Sequence, residues 1–279
     1  MALEKWLVSG PKVIDLDLVR SVKISLIGGK IDVIAHDEPS ARVEVHSVSG
    51  KELKVQIDGD HLEIDHPQLR WDNFIDVFAS FRGTAKADVS LLVPREVALK
   101  FGVVNASALI SGLTGYIKVN SVNGDVVIDG VTGDLDVNTV NGEISVSDHE
   151  GAIAAHSVSG DITVSGTVPR FSADGVAGNV FLDLDGIVDT VENNSVSGDF
   201  TVRLDDSLGA RYNVNTVSGV LSLDGTVFRG THGRGKNFTT GSLDGRFAEI
   251  HANSVAGDIT AVRRAPAQTE FETPVEATA

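Results

Sequence analysis

One nine-residue phrase recurs through most of this chain, and its spacing limits the fold more than any other feature. Its first three copies follow one another at intervals of eighteen residues. The copies are NSVNGDVVI (120–128), NTVNGEISV (138–146), HSVSGDITV (156–164), DGVAGNVFL (174–182), NSVSGDFTV (194–202), NTVSGVLSL (215–223) and NSVAGDITA (253–261). A period near eighteen that is sustained over most of a chain predicts a stack of repeated units.

Each unit also contains a second apolar segment, as in GLTGYIKV (112–119) and GVTGDLDV (130–137). Apolar and polar residues alternate in both segments, which is typical of β-strands with one buried face. We expect equivalent residues to stack in columns and to form a core that no single unit could bury. One such column comprises Val122, Val140, Val158, Val176, Val196, Val217 and Val255. The predicted fold is all-β, a single-chain β-solenoid (β-helix) with about 18 residues and two short strands per coil.

The repeat divides the chain into three parts. Residues 1–100 read as an irregular N-terminal β region covering the first coil, with two strands around Gly28-Gly29 and much of the aromatic content in WDNFIDVFASF (71–81). Residues 101–264 form the regular solenoid, interrupted at 224–242 by a Gly-rich basic excursion that is either a degenerate coil or a hairpin. Residues 265–279 are Pro-, Ala- and Glu-rich without periodicity, and we expect a disordered acidic tail.

A glycine occupies the same place in every copy of the phrase. We expect this place to be a tight turn between strands at which the backbone has φ > 0, a conformation that glycine adopts without steric cost. The turn glycines are Gly124, Gly142, Gly160, Gly178, Gly198, Gly219 and Gly257.

Two polar columns accompany the glycines. The first can form a hydrogen-bonded ladder, bond the turn backbone or bind a ligand along one edge; it comprises Asn120, Asn138, His156, Asp174, Asn194, Asn215 and Asn253. The second is acidic and comprises Asp125, Glu143, Asp161, Asp199 and Asp258. It predicts either a hydrated face or a weak cation site, for which Asp125, Glu143 and Asp161 are the candidates.

The Gly-rich excursion is the one basic segment that could bind an anion, through backbone N–H groups and Arg234. Its candidate residues are Arg229, His232, Arg234 and Lys236. A flexible excursion without a ligand is the simpler interpretation. The sequence contains no H-E-x-x-H, no G-x-S-x-G and no phosphate-binding loop, so it predicts no catalytic residues, no cofactor and no metal centre beyond the acidic column.

Composition excludes several classes of function. A formal charge of −16 argues against general nucleic-acid binding, because clustered Lys and Arg are needed to hold phosphates. The absence of Cys excludes disulfides and thiolate chemistry. The sequence has neither a signal-like apolar segment near its start nor an apolar run long enough to span a membrane. We therefore expect a cytoplasmic protein without membrane insertion.

The recurring pattern N-[ST]-V-x-G-[DE]-[IVF]-x-V resembles the bacterial DUF4097 family of β-strand-repeat proteins, which often carry adhesin labels. The resemblance covers roughly residues 20–262. It implies a single-chain β-solenoid without established enzymatic activity, and peripheral association with the cell envelope, since some relatives are exported or anchored there. It carries over no catalytic residues.

Two functional hypotheses follow. The first is a non-catalytic structural or interaction module that presents a rigid surface to a protein partner or self-associates. The second is a carbohydrate-binding or polysaccharide-cleaving β-helix. The absence of lysine and arginine from the central coils weighs against the second hypothesis, because lyase chemistry on acidic sugars needs cationic groups there.

Overall fold

The computed structural model describes residues 3–66 and 85–264, and within those ranges the protein is all-β. Its strands form one continuous hydrogen-bonded sheet of 24 strands. The strands are β1 Glu4–Val8, β2 Lys12–Leu16, β3 Ser21–His36, β4 Ala41–Ser49, β5 Leu53–Asp58, β6 His61–Asp65, β7 Lys86–Pro94, β8 Ala98–Ser111, β9 Ile117–Asn123, β10 Val126–Asp129, β11 Leu135–Asn141, β12 Ile144–Glu150, β13 Ile153–Ser157, β14 Ile162–Thr167, β15 Arg170–Gly175, β16 Val180–Leu184, β17 Thr190–Ser197, β18 Phe200–Leu204, β19 Gly209–Thr216, β20 Leu221–Leu223, β21 Thr226–Phe228, β22 Lys236–Thr240, β23 Phe247–Ala256 and β24 Ile259–Arg263.

The sheet folds into two faces that meet at the turn glycines. Face A has the strand order β1-β5-β6-β3-β8-β9-β11-β13-β15-β17-β23-β19-β22. Face B has the order β2-β4-β7-β3-β8-β10-β12-β14-β16-β18-β24-β20-β21. The long strands β3 and β8 pass through both faces and so make the N-terminal region continuous with the repeats.

Parallel pairing follows the period of the sequence in the central strands. Leu135 of β11 pairs with Ile117 on one side and with Ile153 on the other, each eighteen residues away. On face B, Ile144 pairs with Val126 and Ile162 in the same way. These side chains point between the two faces and are buried in one continuous core. The architecture is therefore β-solenoid-like.

The stretch around Gly28-Gly29 is not a pair of strands joined by a turn, as we had expected. It is the middle of the single strand β3, where the chain crosses from face A to face B. A Cβ added at Gly29 would lie 2.0 Å from the carbonyl oxygen of Ala87, so glycine here permits close approach of two backbones. Close packing, and not chain reversal, explains this glycine pair.

The order of coils at the C-terminal end differs from their order in the chain. Strand β23 lies between β17 and β19, so Asn253 pairs with Asn194 on one side and with Asn215 on the other. On face B, β24 likewise lies between β18 and β20. The last copy of the phrase is thus inserted beneath the copy that precedes it in the sequence.

Antiparallel strands finish both ends of the stack. The Gly-rich stretch 224–242 contains β21 and β22, which pair antiparallel with β20 and β19. At the other end, β5 and β1 extend face A, and β4 and β2 extend face B, all antiparallel. The Gly-rich excursion thus extends each face by one strand at the C-terminal end of the stack. The predictions for 71–81 and for the tail 265–279 lie outside the described residues.

The turn glycines are explained more by stacking than by backbone conformation. Gly124, Gly142, Gly178 and Gly198 have positive φ, as expected, but the remaining three turn glycines do not. What all seven share is contact with the coil below, because an added Cβ would lie 2.1–2.6 Å from a backbone carbonyl oxygen there. The expectation that each needs φ > 0 was wrong for Gly160, Gly219 and Gly257.

Candidate functional site

The valine column of the phrase is largely exposed, although we had expected it to line the core. Val137 points inward, and strand alternation then places Thr139 inward and Val140 outward. We call the exposed members the valine stripe: Val140, Val158, Val176, Val196, Val255 and Val217 in spatial order, each 43–52% exposed. The column continues toward the N-terminal end as Val122, Val104 and Ile27, which are buried.

The backbone beneath the stripe is held by hydrogen bonds within each turn and between coils. The hydroxyl of Ser121 donates to the carbonyl oxygen of Gly124 at 3.1 Å, and Ser157 repeats the contact with Gly160 at 2.9 Å. Between coils, the Val158 N–H donates to the Thr139 carbonyl and the Val176 N–H to the Ser157 carbonyl, at 3.1 Å each. The stripe is therefore a straight, regularly spaced apolar ridge on a rigid support.

The acidic column has a structural role that neither of our interpretations included. The carboxylate of Asp161 accepts the backbone N–H of Asn179 at 2.7 Å, and Asp199 accepts that of Asp258 at 2.9 Å. Asp125 accepts the N–H of Glu143 at 3.1 Å in the same way. These three carboxylates therefore each cap the next coil while remaining exposed. Within 3–66 and 85–264, no three His, Asp or Glu side chains are grouped so as to hold a metal ion, and this includes Asp125, Glu143 and Asp161.

The amide column is a ladder over part of its length. All seven members lie in register, and Asn253 donates to Asn194, which donates to Asp174, at 3.0 and 3.1 Å. Asn138 bonds Asp136 of its own strand instead, at 2.8 Å. A second ladder, which we did not predict, runs beside the turn glycines through Asn105, Asn123, Asn141 and Ser159. Its signal was the Asn or Ser directly before Gly124, Gly142 and Gly160.

The Gly-rich residues 229–236, which we call the basic loop, cross the corner at the C-terminal end of the valine stripe. The Thr231 hydroxyl and the Gly233 N–H both donate to the carbonyl oxygen of Thr216, at 2.9 and 3.1 Å. A Cβ on Gly233 would lie 3.4 Å from the side chain of Val217. Arg229, His232 and Arg234 are exposed, whereas the Lys236 ammonium lies 4.4 Å from the centre of the Phe228 ring. Of the four predicted anion-binding residues, Lys236 is thus directed at an aromatic ring and the other three are exposed.

A groove of about 570 Å³ crosses the outer surface of face A. Its floor contains the small residues Ala152, Ala154 and Ser172, and its rim carries Tyr116, Asp134, Asp136, Arg170 and Glu192. We call it the tyrosine groove. Tyr116 is half exposed, and its hydroxyl donates to Asp136 at 3.3 Å. The side chains of Arg170 and Glu192 make no ion pair within the described part of the chain.

The charge at one end of the tyrosine groove is compensated. The Lys118 ammonium contacts the Asp136 carboxylate at 2.6 Å. Partial burial acts to raise the pKa of Asp136, but the hydrogen bonds from Lys118 and Asn138 outweigh it and lower that pKa. The other rim charges, on Asp134, Arg170 and Glu192, remain available to a ligand.

A buried ion pair joins the outer coil to the inserted one. Asp224, at the start of the excursion, accepts a hydrogen bond from the Tyr212 hydroxyl at 2.9 Å and contacts Arg263 of β24 at 3.0 Å. The two side chains are mostly buried, with 15% of Arg263 and 8% of Asp224 exposed. Burial, and then the negative charge of Asp224, raise the pKa of Tyr212. The cluster is a structural tie between β19, β20 and β24.

Comparison with known proteins gives a family and distant structural likenesses. Residues 3–66 and 85–264 contain no helix, and so no helix there is long and apolar enough to cross a membrane. A Bacteroides fragilis structure provisionally named an adhesin covers 90% of this chain and 96% of its own, at 13% identity and a TM-score of 0.47. A Parabacteroides distasonis structure provisionally named a lipid-binding protein covers 90% and 96%, at 14% identity and a TM-score of 0.46.

A third structure, from Clostridium sporogenes and provisionally named a cell adhesion protein, covers 91% of this chain and 100% of its own, at 14% identity and a TM-score of 0.32. Among curated proteins, none matches this sequence. The Toastrack DUF4097 family matches residues 19–262, which is most of the chain and nearly the range over which the repeated phrase resembled it. The chain therefore belongs to the Toastrack DUF4097 family.

Proposed function

We propose that this protein is a non-catalytic interaction module whose docking surface is the valine stripe. The observation that carries the proposal is the exposure of six aligned valines on a rigid edge. Isolated apolar side chains on a surface need no explanation, but a continuous apolar strip bordered by polar residues is typical of a protein–protein contact.

The charge distribution supports the same surface. The chain carries a formal charge of −16, so a partner meets the least electrostatic cost where the surface is uncharged. Beside the stripe, the second ladder supplies neutral side chains: Asn123, Asn141 and Ser159. On this side of the stripe a partner meets neutral amide and hydroxyl groups, whose burial costs less than that of a charge.

Binding assays with matched variants test the proposal. The stripe variant carries Val158→Ser, Val176→Ser and Val196→Ser; the control carries Val127→Ser and Val262→Ser, which are about as exposed but lie on face B. Tagged protein is used to capture partners from its host, and each captured partner is then purified and bound to the three proteins. We expect wild type and control to bind and the stripe variant to lose binding at least tenfold. Equal binding by all three would refute the proposal.

The tyrosine groove favours a second candidate, binding of a neutral oligosaccharide. Its volume of about 570 Å³ lies within the range of small-molecule sites, which run from roughly 300 to 1,000 Å³. Tyr116 offers an exposed aromatic ring, and Asp134, Arg170 and Glu192 offer hydrogen-bonding groups around a floor of small residues. Such a set suits a ligand with apolar C–H faces and many hydroxyl groups.

A glycan array, followed by calorimetry, tests this candidate. Wild type is compared with Tyr116→Ala and Arg170→Ala, and with Arg211→Ala as a control on the same face outside the groove. Loss of a glycan signal in the first two variants alone would place the ligand in the groove. An array without signal would exclude the candidate, and release of reducing ends from a bound polysaccharide would contradict the non-catalytic role.

A further inference from the structure

We propose that the occupant of the valine stripe is a second copy of this chain, packed antiparallel along the stripe. The inference rests on the proposed function of the stripe and names its partner. In this arrangement Val140 contacts Val217 of the other copy, Val158 contacts Val255, and Val176 contacts Val196. A two-fold axis perpendicular to the stripe, between the last two residues, generates all of these contacts.

Matching of spacing is the first argument for a second copy. The valines follow one another at the separation of paired strands, about 4.8 Å. Any partner whose side chains are to interdigitate with the stripe must repeat at the same interval over about 24 Å, which is five such steps. A second copy has this interval without further adaptation, because the same ladder of backbone hydrogen bonds sets it.

The charges beside the stripe are the second argument, and they select the antiparallel direction. The acidic column runs parallel to the stripe in the spatial order Asp125, Glu143, Asp161, Asn179, Asp199, Asp258 and Val220. Arg229 of the basic loop follows Phe228, whose partner in β20 is Leu221, and so occupies the next position beyond Val220. The column therefore begins with a carboxylate and ends with a guanidinium.

Antiparallel pairing brings these unlike ends together. With Val140 opposite Val217, Asp125 of one copy lies opposite Arg229 of the other, and the contact occurs twice. The two uncharged members of the column also fall opposite acids, Val220 opposite Glu143 and Asn179 opposite Asp199. Only Asp161 and Asp258 face each other as like charges.

Parallel pairing has no such compensation. A two-fold axis along the stripe would place the acidic columns of the two copies on opposite sides of the interface, so Arg229 would have no carboxylate of the other column opposite it. It would also leave Asp125 without a basic group opposite it. Opposite charges that meet at the rim of an interface chiefly set orientation and association rate, so this difference is expected to decide the direction of packing.

The size of the stripe sets the strength of association. Six half-exposed valines offer on the order of a few hundred Å² per copy, below the roughly 800 Å² per partner of a standard stable interface. The proposed dimer is therefore weak and concentration-dependent, with a dissociation constant of about a micromolar or above. Sedimentation velocity from low to high micromolar concentration should show monomer converting to dimer.

Engineered cysteines test the direction, because the natural chain has no Cys and each introduced thiol is unique. In the antiparallel dimer, residue 140 lies next to residue 217 of the other copy and about 24 Å from its own counterpart, whereas a disulfide needs Cα atoms within roughly 7 Å. Mixed oxidation of Val140→Cys with Val217→Cys should give a heterodisulfide. Val140→Cys alone should remain monomeric on a denaturing gel.

Charge reversal supplies an independent measurement. Asp125→Arg or Arg229→Asp alone should weaken dimerisation several-fold, and the double variant should recover wild-type affinity. Disulfide formation by Val140→Cys with itself, or additive losses in the double variant, would overturn the antiparallel arrangement. A chain that stays monomeric at all concentrations but loses a host partner in the stripe variant would overturn this inference while leaving the proposed function intact.

Discussion

A tight turn can need glycine because a neighbouring coil lies too close for a side chain, or because the backbone has positive φ. Gly160 and Gly130 each show one of these reasons without the other. At Gly160 the φ angle is not positive, but an added Cβ would lie 2.1 Å from the carbonyl oxygen of Gly142 in the coil below. At Gly130 the φ angle is +60°, and a Cβ would meet nothing within 4 Å. Gly160→Ala therefore tests close stacking alone, and Gly130→Ala tests backbone conformation alone.

The magnitudes differ enough to be measured. A carbon and an oxygen need more than 3 Å of separation, so Gly160→Ala must part the two coils locally by about 1 Å. The adjacent ladder bonds between these two coils, from the Ile144 N–H to the Asp161 carbonyl and from the Ser159 N–H to the Val140 carbonyl, are 2.9 Å each and would weaken together. At about 1 kcal/mol for each bond, plus overpacking of about 1 kcal/mol or more, the free energy of unfolding should fall by about 3 kcal/mol.

Gly130→Ala should cost only about 1 kcal/mol, the usual penalty for a side chain in the left-handed region. Urea denaturation followed by far-ultraviolet circular dichroism would compare both variants with wild type. If Gly130→Ala is as destabilising as Gly160→Ala, stacking of the turns does not explain the glycine column.

Two further predictions concern buried charge. Burial, and then the nearby charge of Lys51, lower the pKa of His66 from 6.5 to about 4. The unfolded chain therefore binds a proton at this histidine more readily than the folded protein does. The free energy of unfolding is highest above pH 6.5 and decreases as the pH falls from 6.5 toward 4. Urea midpoints should show about 3 kcal/mol of acid destabilisation in wild type that is missing from His66→Gln, and parallel pH profiles would exclude the effect. Arg263→Leu should lower the free energy of unfolding by about 3 kcal/mol, because it leaves Asp224 buried without its counter-ion. Arg211→Leu, which removes an exposed ion pair, should lower it by less than about 1 kcal/mol. Equal losses in thermal denaturation would show that burial of the pair is not decisive.

The repeated phrase was sufficient to predict strand type, register and family. Equivalent residues such as Asn120 and Asn138 pair as their spacing requires, because parallel strands in a stack align like with like. The error over the valine column came from grouping residues by repeat position without following the alternation within the strand. Since Thr139 takes the inward position, Val140 after it points outward, whereas Val122 after Ser121 is buried.

Other features could not be obtained from spacing. The sequence gives no sign that β23 lies beneath β19, because every copy of the phrase offers the same pairing edge to every other. The tyrosine groove depends on Ala154 and Ser172 being smaller than their neighbours on adjacent strands, so it appears only when the strands are placed side by side. Likewise, Arg229 becomes a neighbour of the acidic column only through the antiparallel pairing of β21.

The inserted final coil has a consequence for synthesis of the protein. Residues 209–223 leave the ribosome before residues 247–263. In the finished stack, however, residues 209–223 form the outer coil, which pairs with β23 and β24 and not with β17 or β18. The first of these segments therefore has no native template to join until the second has emerged. Growth of the stack can follow translation up to β18, whereas its C-terminal end must wait until β23 and β24 have emerged.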